Sequence, residues 1–103
     1  MDWWSDLWLI EGFSTYMEDV VETAIEPALE DLDIFALRIM QAILDSDKLK
    51  SVRSLHIDIK DPTQIEQLFD DISSNKGSCL IRMLNYTITE GLFKEGIQNY
   101  LKK

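Results

Sequence analysis

Residues 3–18 read WWSDLWLIEGFSTYME, a run in which apolar side chains recur every three or four positions. The same spacing continues beyond this run, so we predict an amphipathic helix over about residues 6–24, with Ser5 or Asp6 as its N-cap. A row of carboxylates on the polar face of such a helix is usually solvated, so spacing alone assigns it no chemistry. The polar face of this helix carries Glu11, Thr15, Glu18 and Glu22.

The next part of the chain predicts a second helix and then an irregular loop. Pro27 suits the first turn of a helix that ends near Asp45. The helical pattern breaks between Ser46 and Asp61, where a brief apolar alternation predicts a loop with some extended character.

The last third of the chain predicts more helix. A short helical turn over about residues 63–69, a helix over about 70–86 and a final helix that begins near Thr89 complete the pattern. The predicted fold is therefore all-α, with four main helices and one irregular loop. The buried stripe of the third helix is predicted to be Ile72, Cys79, Leu80, Met83 and Leu84.

The composition limits the chain to one acidic domain. Its 103 residues include 46% hydrophobic side chains, enough apolar material for one core. The net charge of −9 argues against partners such as nucleic acid or an anionic membrane, because both attract clustered Lys and Arg. No run approaches the roughly twenty apolar residues that cross a bilayer. Cys79 is the only cysteine, so it forms no internal disulfide and leaves the cellular compartment undetermined.

Three motif blocks resemble the gluzincin zinc aminopeptidases, the family of aminopeptidase N and the oxytocinase type. Residues 3–13, WWSDLWLIEGF, are similar to the family's W-W-x-D-L-W-L-x-E-G-F. Residues 61–84, DPTQIEQLFDDISSNKGSCLIRML, are similar to its T-P-A-E-I-x-x-x-F-D-x-I-S-Y-x-K-G-A-x-x-L-R-M-L, and residues 93–101, FKEGIQNYL, to its F-x-x-G-L-x-x-Y-L. The resemblance implies that residues 1–103 are one partial domain, the C-terminal helical portion of a thermolysin-like catalytic domain.

The resemblance also implies a zinc site to which this chain contributes one ligand. In the family, a helix with H-E-x-x-H supplies two histidines and a general base, and a glutamate about eighteen residues later supplies the third ligand. Glu11 matches that glutamate, and Glu18 on the same face would accept a hydrogen bond from a zinc-bound histidine. The chain contains no H-E-x-x-H, and the family has no ligand at its one histidine, His56. Zinc is therefore expected in the complete enzyme and not in this chain alone.

One position departs from the family pattern. The tyrosine of the family's I-S-Y-x-K-G donates a hydrogen bond to the oxyanion that forms at the peptide carbonyl, and Ser74 stands in its place. A serine hydroxyl cannot span the distance that a phenol covers, and losing one oxyanion donor costs about a hundred- to a thousand-fold in turnover. Even a complete enzyme with Ser74 is therefore expected to be a weak peptidase.

Several conspicuous residues are expected to be structural. We interpret His56 as a surface histidine and Cys79 as a small buried hydrophobe. Gly77 would let its helix approach a neighbouring helix or the substrate closely, and Arg82 would be a structural ion-pair partner. The tryptophans near the start of the first helix are expected to pack it against the rest of the domain; they are Trp3, Trp4 and Trp8.

Two functional hypotheses remain. The first is a segment of a zinc aminopeptidase that in its complete form releases N-terminal residues from peptides, with the segment itself inactive. The second, which Ser74 favours, is a non-catalytic relative that binds a peptide or protein partner through the remnant of the substrate groove. An H-E-x-x-H about eighteen residues before Glu11 would favour the first. An acidic helical bundle unrelated to peptidases would require the three ordered blocks to be accidental.

Overall fold

A computed structural model of the chain describes residues 4–27, 34–49 and 53–103. Within these ranges the chain forms helices and short helical turns and no strand, which confirms the all-α prediction and its four main helices. The elements in chain order are α1 (Leu7–Ile25), a first π-turn (Ala36–Met40), α2 (Gln41–Asp47), two 3-10 turns (Pro62–Gln64 and Glu66–Leu68), a second π-turn (Ile72–Lys76), α3 (Gly77–Ile88) and α4 (Glu90–Leu101).

Helix α1 begins directly after Asp6, as the sequence predicts. Asp6 occupies the N-cap position, but its side chain makes no capping hydrogen bond. Its Oδ1 atom instead lies 3.1 Å from Nδ1 of His56. The carboxylate therefore links the start of α1 to the loop that follows α2.

The predicted second helix falls partly outside the described residues, because residues 28–33 are not among them. Its described part is helical from residue 34 through the first π-turn and α2. It ends at Asp47, two residues beyond the predicted end.

The predicted irregular loop, residues 46–61, is described over residues 46–49 and 53–61; residues 46 and 47 belong to α2, whereas residues 53–61 form a loop that contains neither helix nor strand. Half-buried and exposed side chains alternate along it, and Leu55 packs against the core. The loop ends at Asp61, whose carboxylate accepts a hydrogen bond of 2.9 Å from the backbone N–H of Thr63 and so caps the first 3-10 turn. This hydrogen bond lowers the pKa of Asp61, because it stabilises the charged form.

The core is organised around aromatic side chains from three segments. Tyr16 is 2% exposed, and its ring meets those of Phe35 and Phe93 edge to face, with centroids 6.3 Å and 6.2 Å away. The Tyr16 hydroxyl accepts a hydrogen bond of 2.7 Å from Nδ2 of Asn85 on α3, which satisfies the polar end of the ring. Cys79 is buried in the same core, as predicted, and desolvation raises the pKa of its thiol.

Helices α1 and α3 cross at a pair of glycines, Gly12 and Gly77. A Cβ atom on Gly12 would lie 2.6 Å from Cα of Gly77, and one on Gly77 would lie 2.6 Å from the carbonyl oxygen of Trp8. Real Cβ atoms do not approach backbone this closely, so both positions require glycine. The prediction that Gly77 permits a close approach is confirmed.

The predicted buried stripe of α3 is partly wrong. Leu80, Met83 and Leu84 are 39%, 57% and 47% exposed, whereas Ser78 and Ile81 are buried. The cause is the glycine crossing: the face of α3 that carries its smallest residues must point toward α1, which rotates the larger apolar side chains outward. The predicted burial of Ile72 and Cys79 is confirmed.

Thr89, between α3 and α4, has φ 75° and ψ 149°, and it is the one non-glycine residue with positive φ in the described ranges. It stands at the N-cap position of α4, which begins where the sequence predicts, but the Thr89 side chain makes no capping hydrogen bond. A residue with a Cβ pays about 1–3 kcal/mol in this region, whereas glycine adopts it freely. We expect Thr89→Gly to raise the free energy of unfolding by about 1 kcal/mol in urea titrations followed by circular dichroism.

The matched control for this variant is Thr87→Gly, two residues earlier in the last turn of α3. It should lower the free energy of unfolding by about 1 kcal/mol, because glycine is a poor helix former. If both variants lose stability to the same extent, the backbone of Thr89 is not strained.

Candidate metal-ligand segment

The predicted zinc ligand, Glu11, lies on α1 immediately before the glycine at which α1 crosses α3. Its side chain is half-buried, and no described residue forms a hydrogen bond or ion pair with its carboxylate. The carboxylate of Glu11 is therefore available to a group outside the described residues.

Glu18 lies on the same helix, seven residues further along, which corresponds to about 10 Å of helix. Its side chain is exposed, and no described residue pairs with it. Glu18 and Glu11 thus share an element but do not form a compact pair of carboxylates.

Ser74, the residue at the tyrosine position, lies within the second π-turn and is half-buried. This turn packs against α1, and it leads directly into Gly77. Short π-helical segments inside α-helices occur frequently at functional sites. The glycine crossing consequently brings together the motif block that contains Glu11 and the motif block that contains Ser74.

The structure also reveals polar residues around this turn that the sequence reasoning missed. Arg53 forms an ion pair with Asp70, and the Nη2 atom of the same guanidinium donates a hydrogen bond of 2.8 Å to Oγ of Ser73. Lys76 pairs with Asp47 at 2.7 Å. Asp70 and Lys76 lie inside the second motif block, but their partners come from outside it, so no local pattern could have identified these pairs.

The remaining residues that were predicted to be structural are so, but Arg82 makes different contacts from those expected. His56 is an exposed histidine, as predicted, beside Asp6 and Asp58. Trp4 packs edge to face on Phe69, with centroids 6.4 Å apart, whereas Trp3 is outside the described residues.

The ion pair expected for Arg82 is absent within the described ranges. Its guanidinium lies over the rings of Tyr86 and Phe35, at 4.8 Å and 5.6 Å from their centroids, and its Nη1 atom donates to Sδ of Met40. Arg82 therefore has a structural role through aromatic contacts rather than through a carboxylate.

The described residues do not form a metal site by themselves. They contain no group of three or more His, Cys, Asp or Glu side chains that could hold a metal ion. Glu11 fits the role of a single carboxylate ligand, since carboxylate oxygen is an accepted ligand for zinc, but one ligand does not hold a catalytic metal. Among the described residues there is also no helix long and apolar enough to cross a membrane.

An all-α segment, with an unpaired carboxylate next to a glycine crossing and a π-turn, is the kind of piece that a larger metallopeptidase domain would contain. Residues 1–103 match the Peptidase family M1 domain, and the chain belongs to this family.

Proteins similar in sequence to the chain include aminopeptidases from distant organisms. The chain is 42% identical to endoplasmic reticulum aminopeptidase 2 of Homo sapiens and 36% identical to leucyl aminopeptidase of Saccharolobus solfataricus, in both cases over 100% of the chain. It is 39% identical to aminopeptidase N of Oryctolagus cuniculus over 98% of the chain. These matches cover 11%, 13% and 11% of the relatives, so the chain spans little more than a tenth of their length.

Proposed function

We propose that this chain is the C-terminal helical portion of a zinc aminopeptidase catalytic domain, in which Glu11 is one of the zinc ligands. The observation that carries the proposal is the position of Glu11, a half-buried residue that directly precedes the close contact of Gly12 with Gly77 and whose carboxylate has no partner among the described residues. The similarity to aminopeptidases supports the proposed chemistry of the complete domain, which is the release of N-terminal residues from peptides. Glu18 is proposed to accept a hydrogen bond from a zinc-bound histidine.

The surface of the chain supports the proposal that the remainder of a catalytic domain packs against it. Many large apolar side chains are exposed, and contiguous apolar patches on proteins usually mark an interface. Four of them repeat along one side of α3, which carries no acidic residue. They are Leu80, Met83, Leu84 and Ile88.

The proposal is testable in a chimera in which this chain replaces the matching 103 residues of the Saccharolobus solfataricus leucyl aminopeptidase. We expect the purified chimera to retain about one zinc per chain after dialysis against zinc-free buffer, as a site with a full set of ligands would. In the chimera, Glu11→Gln should reduce the retained zinc to less than about a tenth, because an amide is a far weaker ligand than a carboxylate. Zinc is measured by inductively coupled plasma mass spectrometry.

The matched control is Glu22→Gln, which makes the same change on an exposed glutamate of the same helix. Zinc content should be unaffected by it. Equal zinc in the Glu11→Gln and Glu22→Gln chimeras, with both folded, would rule out Glu11 as a ligand.

A second candidate function is binding of a peptide without catalysis, and one cavity favours it. A groove of about 640 Å³ lies between the second half of α1 and the helices α3 and α4. Its walls combine apolar side chains with a few polar groups at the rim, as in peptide-binding grooves. The apolar lining includes Tyr16, Met17, Val20, Phe93 and Ile97.

The two functions are distinguished by adding a leucine-rich hexapeptide to the ¹⁵N-labelled chain and recording amide chemical shifts. Saturable shifts confined to Met17, Val20 and Ile97 would favour the binding function. Unchanged shifts at millimolar peptide would leave the aminopeptidase segment as the only function that the geometry supports.

A further inference from the structure

The second π-turn, which carries Ser74, is held from both sides by ion pairs to distant segments. Asp70 lies two residues before the turn and pairs with Arg53, which is 17 residues away in the chain. Lys76 is the last residue of the turn and pairs with Asp47, which is 29 residues away. Two ion pairs therefore connect the ends of one helical turn to segments that lie far away in the sequence.

The Arg53–Asp70 pair also controls the backbone at the start of the turn. The two carboxylate oxygens of Asp70 accept hydrogen bonds from Nε and Nη2 of Arg53, at 3.1 Å and 2.5 Å. Oδ1 of Asp70 accepts a third hydrogen bond of 3.1 Å from the backbone N–H of Ser73. Nη2 of Arg53 donates to Oγ of Ser73 as well, and Ser73 is only 1% exposed. One forked guanidinium and one carboxylate therefore fix the residue that directly precedes Ser74.

This network differs from an ordinary surface ion pair. The side chains of Arg53 and Asp70 are 20% and 38% exposed, whereas those of Lys48 and Asp45, which pair at 2.6 Å within one helical turn, are 73% and 74% exposed. Exposed pairs of the second kind contribute little, because water screens them. Partly buried, bidentate pairs with further hydrogen bonds hold a defined geometry.

We propose that Arg53 and Asp70 are positioning residues. They hold the second π-turn in the conformation that directs residue 74 toward the proposed zinc site. The chemical role of position 74 rests on the proposed function, but the conformational role of Arg53 does not. Arg53 acts through Asp70 and Ser73 and touches none of the reacting groups.

The test is amide hydrogen exchange of the full ¹⁵N-labelled chain, followed by NMR, for Arg53→Met. The amide of Ser73 donates to Asp70 Oδ1 and that of Ser74 donates to the backbone carbonyl of Asp70 at 3.2 Å, so both report on the turn. We expect both amides to exchange about tenfold faster in Arg53→Met. The amide of Phe93 in α4 donates to the carbonyl of Thr89, and its exchange rate should not change.

Two further variants separate geometry from charge. Arg53→Lys keeps the positive charge but cannot form the fork, so we expect accelerated exchange at Ser73 in this variant as well. Lys48→Met removes the exposed pair with Asp45 and should leave the Ser73 and Ser74 amides unchanged. Arg53→Lys also keeps the test valid if Arg53→Met fails to fold.

The proposal is overturned if the amides of Ser73 and Ser74 exchange at the same rate in the Arg53 variants as in the unmodified chain. It is also overturned if the amide of Phe93 accelerates equally, because the pair would then act on global stability alone. Neither result depends on zinc. The zinc test in the chimera can therefore fail while this proposal stands, and this proposal can fail while the zinc test succeeds.

Discussion

Ser74→Tyr in the chimera is expected to raise kcat for leucine 4-nitroanilide by about a hundred- to a thousand-fold. A phenol at this position would reach the oxygen that becomes negative when the scissile carbonyl is attacked, whereas the hydroxyl of Ser74 hangs from a single carbon. The gain should appear in kcat rather than in KM, because the hydrogen bond forms mainly in the transition state. Release of 4-nitroaniline, followed by its absorbance, measures both parameters.

The matched control for this gain is Ser74→Phe, which adds the same ring without the hydroxyl. It should leave kcat near that of the Ser74 chimera, since an aromatic ring alone donates no hydrogen bond. A chimera that binds zinc but gains no turnover from Ser74→Tyr would show that position 74 does not serve the oxyanion. An equal gain from Ser74→Phe would attribute the effect to packing.

Gly77→Ala is expected to have the largest effect on folding. Its new methyl group would lie 2.6 Å from the backbone oxygen of Trp8 and 3.0 Å from Cα of Gly12, and backbone atoms cannot move aside as a flexible side chain can. Separating α1 from α3 would open the core around Tyr16. We therefore expect the free energy of unfolding to fall by about 3 kcal/mol or more, the upper end for overpacking, in urea titrations followed by circular dichroism at 222 nm.

The control for Gly77→Ala is Gly96→Ala, the same substitution in the interior of α4. A Cβ at Gly96 meets nothing within 4 Å, so alanine should stabilise the helix by about 0.5–1 kcal/mol. The two substitutions should therefore have opposite signs. If Gly77→Ala proved as stable as the unmodified chain, the close crossing of α1 and α3 would be wrong, and with it the meeting of the two motif blocks.

The crossing brings two separated stretches of sequence into contact. The glycine of the first block, Gly12, follows the proposed zinc ligand, and the glycine of the second block, Gly77, follows the turn that contains position 74. Because the glycines touch, Glu11 and Ser74 are each anchored within three residues of one fixed contact. This arrangement would carry both groups to the same side of a larger catalytic domain.

The sequence by itself determined the all-α fold, the start of α1 and the position of Glu11 on it. These properties depend on local spacing: apolar residues at helical intervals, a proline or a polar cap, and short motifs whose order is fixed along the chain. The burial of Cys79 and the exposure of His56 followed from the same local reasoning. Membership of the M1 family was likewise predictable from the three motif blocks.

Only the tertiary structure decided which face of α3 is buried and which residues fix the second π-turn. Apolar side chains occur on more than one side of α3, so periodicity could not choose between Leu80 and Ile81. The choice was made by the contact of Gly12 with Gly77, since helices approach this closely only where both faces are small. The Arg53–Asp70 pair depends on how the chain returns after α2, and no local pattern encodes that path.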